Sequence, residues 1–231
     1  MKIIGFQKTT LLDFPGKVAA TVFTPGCNFR CPYCHNGDIL VPGEDIEPFS
    51  EEEVLLTLKK RSGVLDGVAI TGGEPTLQPD LPEFIRKIRT LGLLVKLDTN
   101  GTNPGMLRGL IDEGLLDYVA MDIKQCSEKY NEVACQKVSD LDKIKKSVSL
   151  LLEGRVDYEF RTTVADNLMS TGDFQGIGQW IKGAKAYYLQ QYKDSDFVLD
   201  HNCKVPSKET LESYVNLLKD YVPNTQIRGV D

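Results

Sequence analysis

The sequence predicts an α/β protein, a partial TIM-like barrel built from six units of one strand and one helix, (β/α)6. Strand-like apolar runs alternate with amphipathic helical segments along the chain, a pattern typical of a parallel sheet covered by helices. Six units are too few for a closed eight-stranded barrel, which favours an open one. A doubly wound sheet is the alternative, because the same alternation occurs in both folds. The 231 residues contain no repeat or linker, so we predict a single domain over residues 1–231.

The predicted strands are short apolar runs. They cover residues 18–23, 68–71, 93–97, 118–121, 158–164 and 186–189. Helices are predicted from an apolar face or a capping residue, at residues 50–61, 81–91, 106–113, 141–151, 174–182 and 207–221. Hydrogen-bonding caps are predicted at three helix starts, from Ser50 with Glu53, from Asp80 with Glu83, and from Ser207.

The composition, 41% hydrophobic and 26% charged, is that of a globular protein. The formal net charge is −6 and no segment concentrates lysine and arginine, so nucleic acid is not an expected partner. The N-terminus lacks the apolar core of a signal peptide, and no apolar run reaches the ~18 residues of a membrane span. We therefore expect a cytoplasmic protein without a membrane segment. In that compartment six cysteines indicate metal or redox chemistry rather than disulfides.

Three cysteines, Cys27, Cys31 and Cys34, follow the first predicted strand with the spacing C-x3-C-x2-C. Three thiolates so close in sequence can share one soft metal centre, an iron–sulfur cluster or zinc. A [4Fe–4S] cluster has four irons, so three protein ligands leave one iron open to a small molecule. Two alternatives remain: a structural zinc site with His35 as fourth ligand, and three cysteines that are simply buried.

Three further groups of polar residues come at or after the ends of later strands, and one arginine lies within a strand. They are residues 72–75 (GGEP), 98–101 (DTNG), 122–124 (DIK), and Arg161 within its strand. Parallel α/β folds place their active sites at the carboxyl ends of the strands, so these groups are expected to face one mouth together with the cysteines. Each has a simpler interpretation as well: a tight turn for GGEP, a solvated surface cluster for the charges of DTNG and DIK, and a structural ion pair for Arg161.

The segment CNFRCPYCHN at residues 27–36 resembles the cluster-binding motif of the radical S-adenosylmethionine (radical SAM) superfamily, including Tyr33 before the third cysteine. CPYCHN, DTNG and DIK resemble more specifically the pyruvate formate-lyase activating enzymes and other glycyl-radical-enzyme activating proteins, such as those of anaerobic ribonucleotide reductase. The resemblance runs from about Asp13 to Lys124. Phe14 replaces a glycine of the family's turn, so no role is assigned to Asp13.

The resemblance implies that Cys27, Cys31 and Cys34 ligate a [4Fe–4S] cluster. It implies further that Glu74 and the backbone around Gly73 bind the amine of S-adenosylmethionine.

The same resemblance implies further cofactor contacts. Lys124 is expected to neutralise the S-adenosylmethionine carboxylate. Arg161 lies beyond the resemblance and is a second candidate for that carboxylate by its charge alone. Asp98 is expected to contact the cofactor and, with Asp122, to form a monovalent-cation site. Tyr33 is the other cofactor-binding residue that the resemblance implies, and His35 is expected to pack and hydrogen-bond near the cluster. Asn36 is a candidate cofactor contact because its side-chain amide can both donate and accept.

The implied function is reductive cleavage of S-adenosylmethionine followed by hydrogen abstraction from a glycine of a partner glycyl radical enzyme. A flavodoxin or a ferredoxin-type protein is the expected electron donor. Two alternatives stay open: a radical SAM enzyme that acts on a small molecule, and a non-catalytic iron–sulfur or zinc sensor. The remaining cysteines, Cys126, Cys135 and Cys203, match no ferredoxin spacing and are expected to be buried thiols.

Overall fold

The computed structural model describes residues 1–40, 47–134 and 141–229. Their eight strands lie in one sheet whose spatial order follows the chain order. The strands are β1 Gly5–Thr10, β2 Ala19–Thr24, β3 Gly67–Gly72, β4 Leu94–Thr99, β5 Tyr118–Asp122, β6 Asp157–Val164, β7 Tyr187–Gln191 and β8 Thr225–Arg228. A doubly wound sheet reverses its strand order, so the consecutive order excludes that alternative. It agrees with the predicted partial TIM-like barrel.

The six predicted strands are confirmed as β2 to β7, each within two residues at either end. Strands β1 and β8 were missed. β1 pairs antiparallel with β2, whereas β2–β3, β3–β4, β6–β7 and β7–β8 are parallel. β1 has the sequence GFQKTT and buries only Thr10, so it lacks the apolar run used to recognise the other strands.

The helices among the described residues are α1 Gly37–Leu40, α2 Glu51–Arg61, α3 Leu81–Arg89, α4 Pro104–Asp112, α5 Tyr130–Ala134, α6 Leu141–Leu152, α7 Thr171–Trp180 and α8 Lys208–Leu218. The caps predicted for α2 and α8 are confirmed, since Ser50 accepts from the Glu53 amide and Ser207 from the Thr210 amide, both at 3.1 Å. The predicted Asp80 cap is wrong. The Asp80 carboxylate makes no cap hydrogen bond and instead binds the N-terminal ammonium of Met1 at 2.7 Å.

By its contacts the chain divides into two compact units. The first unit comprises Met1–Cys27, Asp38–Ala120 and Arg155–Asp157; the second comprises Asn28–Gly37, Met121–Gly154 and Tyr158–Asp231. The division into compact units does not test whether residues 1–231 form a single domain, which stays a prediction.

Each unit has its own core around parallel strands. In the first, β2 and β3 bury five of their six residues, as expected for parallel strands covered on both faces. In the second, the ring of Phe174 on α7 lies 4.2 Å from that of Tyr214 on α8. None of the helices in the described part of the chain is long and apolar enough to span a bilayer.

Candidate functional site

The cysteine loop in the second unit contains a tight turn. The Cys34 amide donates to the Cys31 carbonyl at 3.0 Å. Cys31 is buried and Cys34 half-buried. Tyr33 between them is buried, and its hydroxyl donates to the Lys124 carbonyl at 3.5 Å. Burial raises the pKa of Tyr33, so the phenol stays protonated and serves as a neutral donor.

Cys27 lies in the first unit, at the end of the segment that follows β2. Its sulfur accepts a hydrogen bond from the side-chain amide of Asn100 at 3.8 Å. Within residues 1–40, 47–134 and 141–229, no group of three cysteine, histidine, aspartate or glutamate side chains is close enough to bind one metal ion. The donor set fits a soft metal centre by its chemistry, because the motif supplies three thiols and no carboxylate.

His35 packs against an aromatic side chain of the second unit. Its ring stacks on Tyr192 with 5.9 Å between centroids and 27° between planes. His35 is exposed, but partial desolvation of its ring lowers its pKa, which favours the neutral imidazole. Packing of His35 near the cluster stays a prediction.

The segment after β7, which sequence reasoning did not assign to the site, lies against the cysteine loop. The Asp200 amide donates to the Pro32 carbonyl at 3.0 Å. A Cβ atom at Gly37 would lie 2.0 Å from the Phe197 carbonyl oxygen, so only glycine permits this approach. No motif in residues 192–206 signals the contact.

The glycines of the GGEP turn face the protein's own backbone. A Cβ atom at Gly73 would lie 1.8 Å from the Gly26 carbonyl oxygen. The Glu74 amide donates to that same oxygen at 2.8 Å, and the Gly73 amide donates to the Thr24 carbonyl at 2.9 Å. Close packing within the first unit is therefore sufficient to explain why glycine is required at position 73.

The Glu74 carboxylate is buried and engaged by the loop around it. Oε1 accepts from the Thr76 amide at 3.1 Å, the Thr76 hydroxyl at 2.5 Å and the Thr99 hydroxyl at 2.8 Å. Oε2 accepts from the Asn100 amide at 2.7 Å. Burial raises the pKa of Glu74, and these hydrogen bonds oppose the rise. Glu74 thus joins the turn after β3 to the end of β4.

Asp98 has a cation partner in the strand that carries it. Its carboxylate pairs with the ammonium of Lys96, whose side chain is almost fully buried. Lys96 was not singled out in the sequence because it stands within an apolar strand. Its alternation with Asp98 nevertheless places both side chains on one face of β4.

In the second unit, Asp122 lies between two cations. Arg161 Nε binds one carboxylate oxygen at 2.9 Å and Lys124 Nζ binds the other at 3.1 Å. Burial alone would raise the pKa of Asp122, but Arg161 and then Lys124 outweigh it and lower the pKa to about 2. One carboxylate between two cations leaves a net positive charge, which suits an anionic ligand.

The other predicted residues are placed as follows. Asn36 is half-buried at the end of the cysteine loop, directly before α1. Cys126 and Cys203 are buried as expected, and burial raises the pKa of the Cys126 thiol. Cys135 lies outside the described residues.

Residues 21–168 match the family model of the radical SAM superfamily. A Methanocaldococcus jannaschii protein, whose name assigns it provisionally to the glycyl-radical enzyme activating enzymes, is 34% identical over 99% of this chain and 96% of its own length. The pyruvate formate-lyase-activating enzyme of Clostridium pasteurianum is 31% identical over 55% of this chain and 54% of its own length.

A solved structure shares the fold. Streptococcus suis SuiB bound to S-adenosylmethionine has a TM-score of 0.67 with 14% identity, covering 90% of this chain and 52% of SuiB. At that identity the likeness concerns the fold alone. The cysteine spacing, the sheet topology and a family match over more than half of the chain lead to one assignment: the protein belongs to the radical SAM superfamily.

Proposed function

We propose that the protein is a glycyl-radical-enzyme activase with a [4Fe–4S] cluster on Cys27, Cys31 and Cys34. Membership of the superfamily implies the cluster and S-adenosylmethionine. The more specific proposal, activation of a glycyl radical enzyme, rests on the full-length similarity to the M. jannaschii relative and on that relative's name. When bound, the cluster would supply one electron for the reductive cleavage of S-adenosylmethionine to methionine and a 5′-deoxyadenosyl radical. The proposed target of that radical is a hydrogen atom of a glycine in the partner enzyme.

Lys124 and Arg161 are the proposed ligands of the S-adenosylmethionine carboxylate. Both are held by Asp122, and their side chains are 15% and 12% exposed. An additional carboxylate beside this trio would bring its net charge to zero, which favours binding in a partly buried site. Tyr33 contributes by holding the Lys124 backbone through its hydroxyl. Asn36 remains a proposed polar contact of the cofactor.

Glu74 and the Gly73 backbone are the proposed partners of the cofactor amine. Three donors already contact Oε1, so Oε2, with the Asn100 amide, has the greater remaining capacity for an ammonium. Most contacts of the Glu74 carboxylate then stabilise the turn after β3 and the end of β4. The cofactor amine would add one charge-assisted hydrogen bond.

A cation site and an electron donor are also proposed. A monovalent cation at Asp98 and Asp122 would compete with Lys96 and Lys124, which already pair with these carboxylates. A flavodoxin or ferredoxin-type protein is the proposed electron donor.

The test of the function mixes reduced, reconstituted protein, S-adenosylmethionine and each candidate glycyl radical enzyme of the same organism under anaerobic conditions. Electron paramagnetic resonance should show a glycyl doublet on one candidate, absent with Cys34→Ala. Silence of every candidate, with 5′-deoxyadenosine released only when a small metabolite is added, would establish the small-molecule enzyme instead. Protein that contains zinc, or a cluster without any 5′-deoxyadenosine release, would establish a sensor.

A further inference from the structure

We propose that Asn100 acts on the bound cluster through a hydrogen bond to the sulfur of Cys27 and thereby raises the cluster's reduction potential. This inference rests on the proposed function, because it requires Cys27 to be a cluster ligand. Within the DTNG segment, a role was expected only for Asp98.

The contact joins two residues of the same compact unit. The Asn100 side-chain nitrogen lies 3.8 Å from the Cys27 sulfur, and Asn100 is only 5% exposed. Burial excludes competing water, so a hydrogen bond from this amide has a larger electrostatic effect than it would at the surface.

The neighbouring residue Thr102 determines which end of the Asn100 amide faces the sulfur. The side-chain oxygen of Asn100, Oδ1, accepts from the Thr102 backbone amide at 3.0 Å and from the Thr102 hydroxyl at 2.7 Å. An inverted side chain would place its NH2 group against the Thr102 backbone donor. The NH2 group is therefore directed away from Thr102, toward Cys27.

Glu74 holds both sides of the contact. Its backbone amide donates to the carbonyl of Gly26, the residue directly before Cys27, at 2.8 Å. Its carboxylate accepts from the Asn100 backbone amide at 2.7 Å. Donor and acceptor are thus fixed to one buried residue, which makes the contact part of the loop architecture rather than a chance approach of two side chains.

The physical effect follows from charge. Reduction adds one negative charge to a cluster, and a hydrogen bond to a ligand sulfur stabilises the more negative state. Removing the donor should therefore make the potential more negative. A tenfold change in the equilibrium constant of the one-electron couple corresponds to about 59 mV.

The experiment is an anaerobic redox titration of the reconstituted protein, followed by electron paramagnetic resonance, with iron and sulfide analysis of each variant. Asn100→Leu should retain the cluster with its midpoint about 59 mV more negative, a tenfold change. Thr102→Val, which removes the orienting hydroxyl, should shift the midpoint by less in the same direction. Thr102→Ser retains the hydroxyl and should match the wild type.

An intact cluster in Asn100→Leu with an unchanged midpoint would overturn this inference and leave the proposed function standing. If Asn100→Leu fails to hold a cluster, the test rests on Thr102→Val and Thr102→Ser. Equal midpoint potentials in these two variants would overturn the inference. A full cluster in Cys27→Ala would overturn both the inference and the proposed ligand set.

Discussion

Arg161 in β6 donates its Nε to the carboxylate of Asp122, the last residue of β5, at 2.9 Å. Lys124 completes the arrangement from the other side of the same carboxylate. The strand ends therefore present two cations held by one anion, and the mobile side chains of Arg and Lys are ordered before any ligand arrives. Preorganised charges lose less entropy when they bind a carboxylate.

Replacement of Lys124 tests this site as a binder of S-adenosylmethionine. Lys124→Ala should weaken binding to the reconstituted protein by about 1.5–3 kcal/mol, the range for a hydrogen bond to a charged group. Isothermal titration calorimetry under anaerobic conditions measures the change. Lys129→Ala is the matched control, because Lys129 pairs with Asp173 instead. Equal affinity of the Lys124 variant and the wild type would show that Lys124 does not bind the cofactor.

The pKa of Asp122 predicts a pH-dependent contribution to stability. It is lowered from 3.8 to about 2, so ionised Asp122 stabilises the fold above pH 3.8 and loses this effect as the pH falls toward 2. Asp122→Asn should lower the free energy of unfolding by about 2 kcal/mol at pH 6 and by about half as much at pH 3. Urea unfolding of the metal-free protein at both pH values measures the two differences. If Asp122→Asn lowers the free energy of unfolding as much at pH 3 as at pH 6, the lowered pKa of Asp122 is contradicted.

Replacing a cysteine of the motif should lower the iron content of the reconstituted protein, whereas replacing a cysteine outside the motif should not. Cys31→Ala should lose the roughly four irons of a [4Fe–4S] centre, since two thiolates cannot hold it stably. Cys126→Ala is the control, because its buried thiol contacts Asp173 at 3.5 Å and belongs to no ligand motif. Iron and sulfide analysis after anaerobic reconstitution gives the result. A full iron complement in Cys31→Ala would remove the basis of the cluster assignment.

Glu74→Gln should destabilise the metal-free protein by about 1–3 kcal/mol, the cost of an unsatisfied buried group. Both carboxylate oxygens accept from backbone amides, Oε1 from Thr76 and Oε2 from Asn100. In either orientation of a glutamine, its NH2 group would therefore face one of these backbone N–H groups, and that contact would bring two donors together. Urea unfolding measures the change. Glu113→Gln, at an exposed pair with Arg86, is the control and should cost less than about 1 kcal/mol. Equal costs would contradict the structural role of Glu74.

The pair formed by Arg228 and Glu159 should stabilise the second unit. Glu159 is fully buried, and its two oxygens accept from Arg228 at 2.5 and 2.8 Å. Arg228→Met should cost about 3 kcal/mol, because it removes the cation beside a buried carboxylate. The double variant with Glu159→Met should recover most of that loss. A single variant as stable as the wild type in thermal unfolding would show that the pair is energetically neutral.

Local patterns in the sequence predicted most of the architecture. An apolar run such as residues 68–71 reports that a segment is buried on both faces, which is a property of β3 itself. The capping box of Ser50 and Glu53 is equally local, because both hydrogen bonds close within four residues. The cysteine motif is local too, and its chemistry follows from the spacing of three thiols.

Tertiary structure alone decided which partners the polar side chains have. The sequence predicts a turn at GGEP without any partner for Glu74 within the chain. In the structure its carboxylate is buried, because Thr99 and Asn100 at the end of β4 donate hydrogen bonds to it. Strand β8 is too short and polar to predict, and it forms because β7 supplies its backbone partners. A sequence pattern records which residues favour burial or a turn. The free energy of a buried charge depends on groups distant in sequence, which only the folded chain brings within hydrogen-bonding distance.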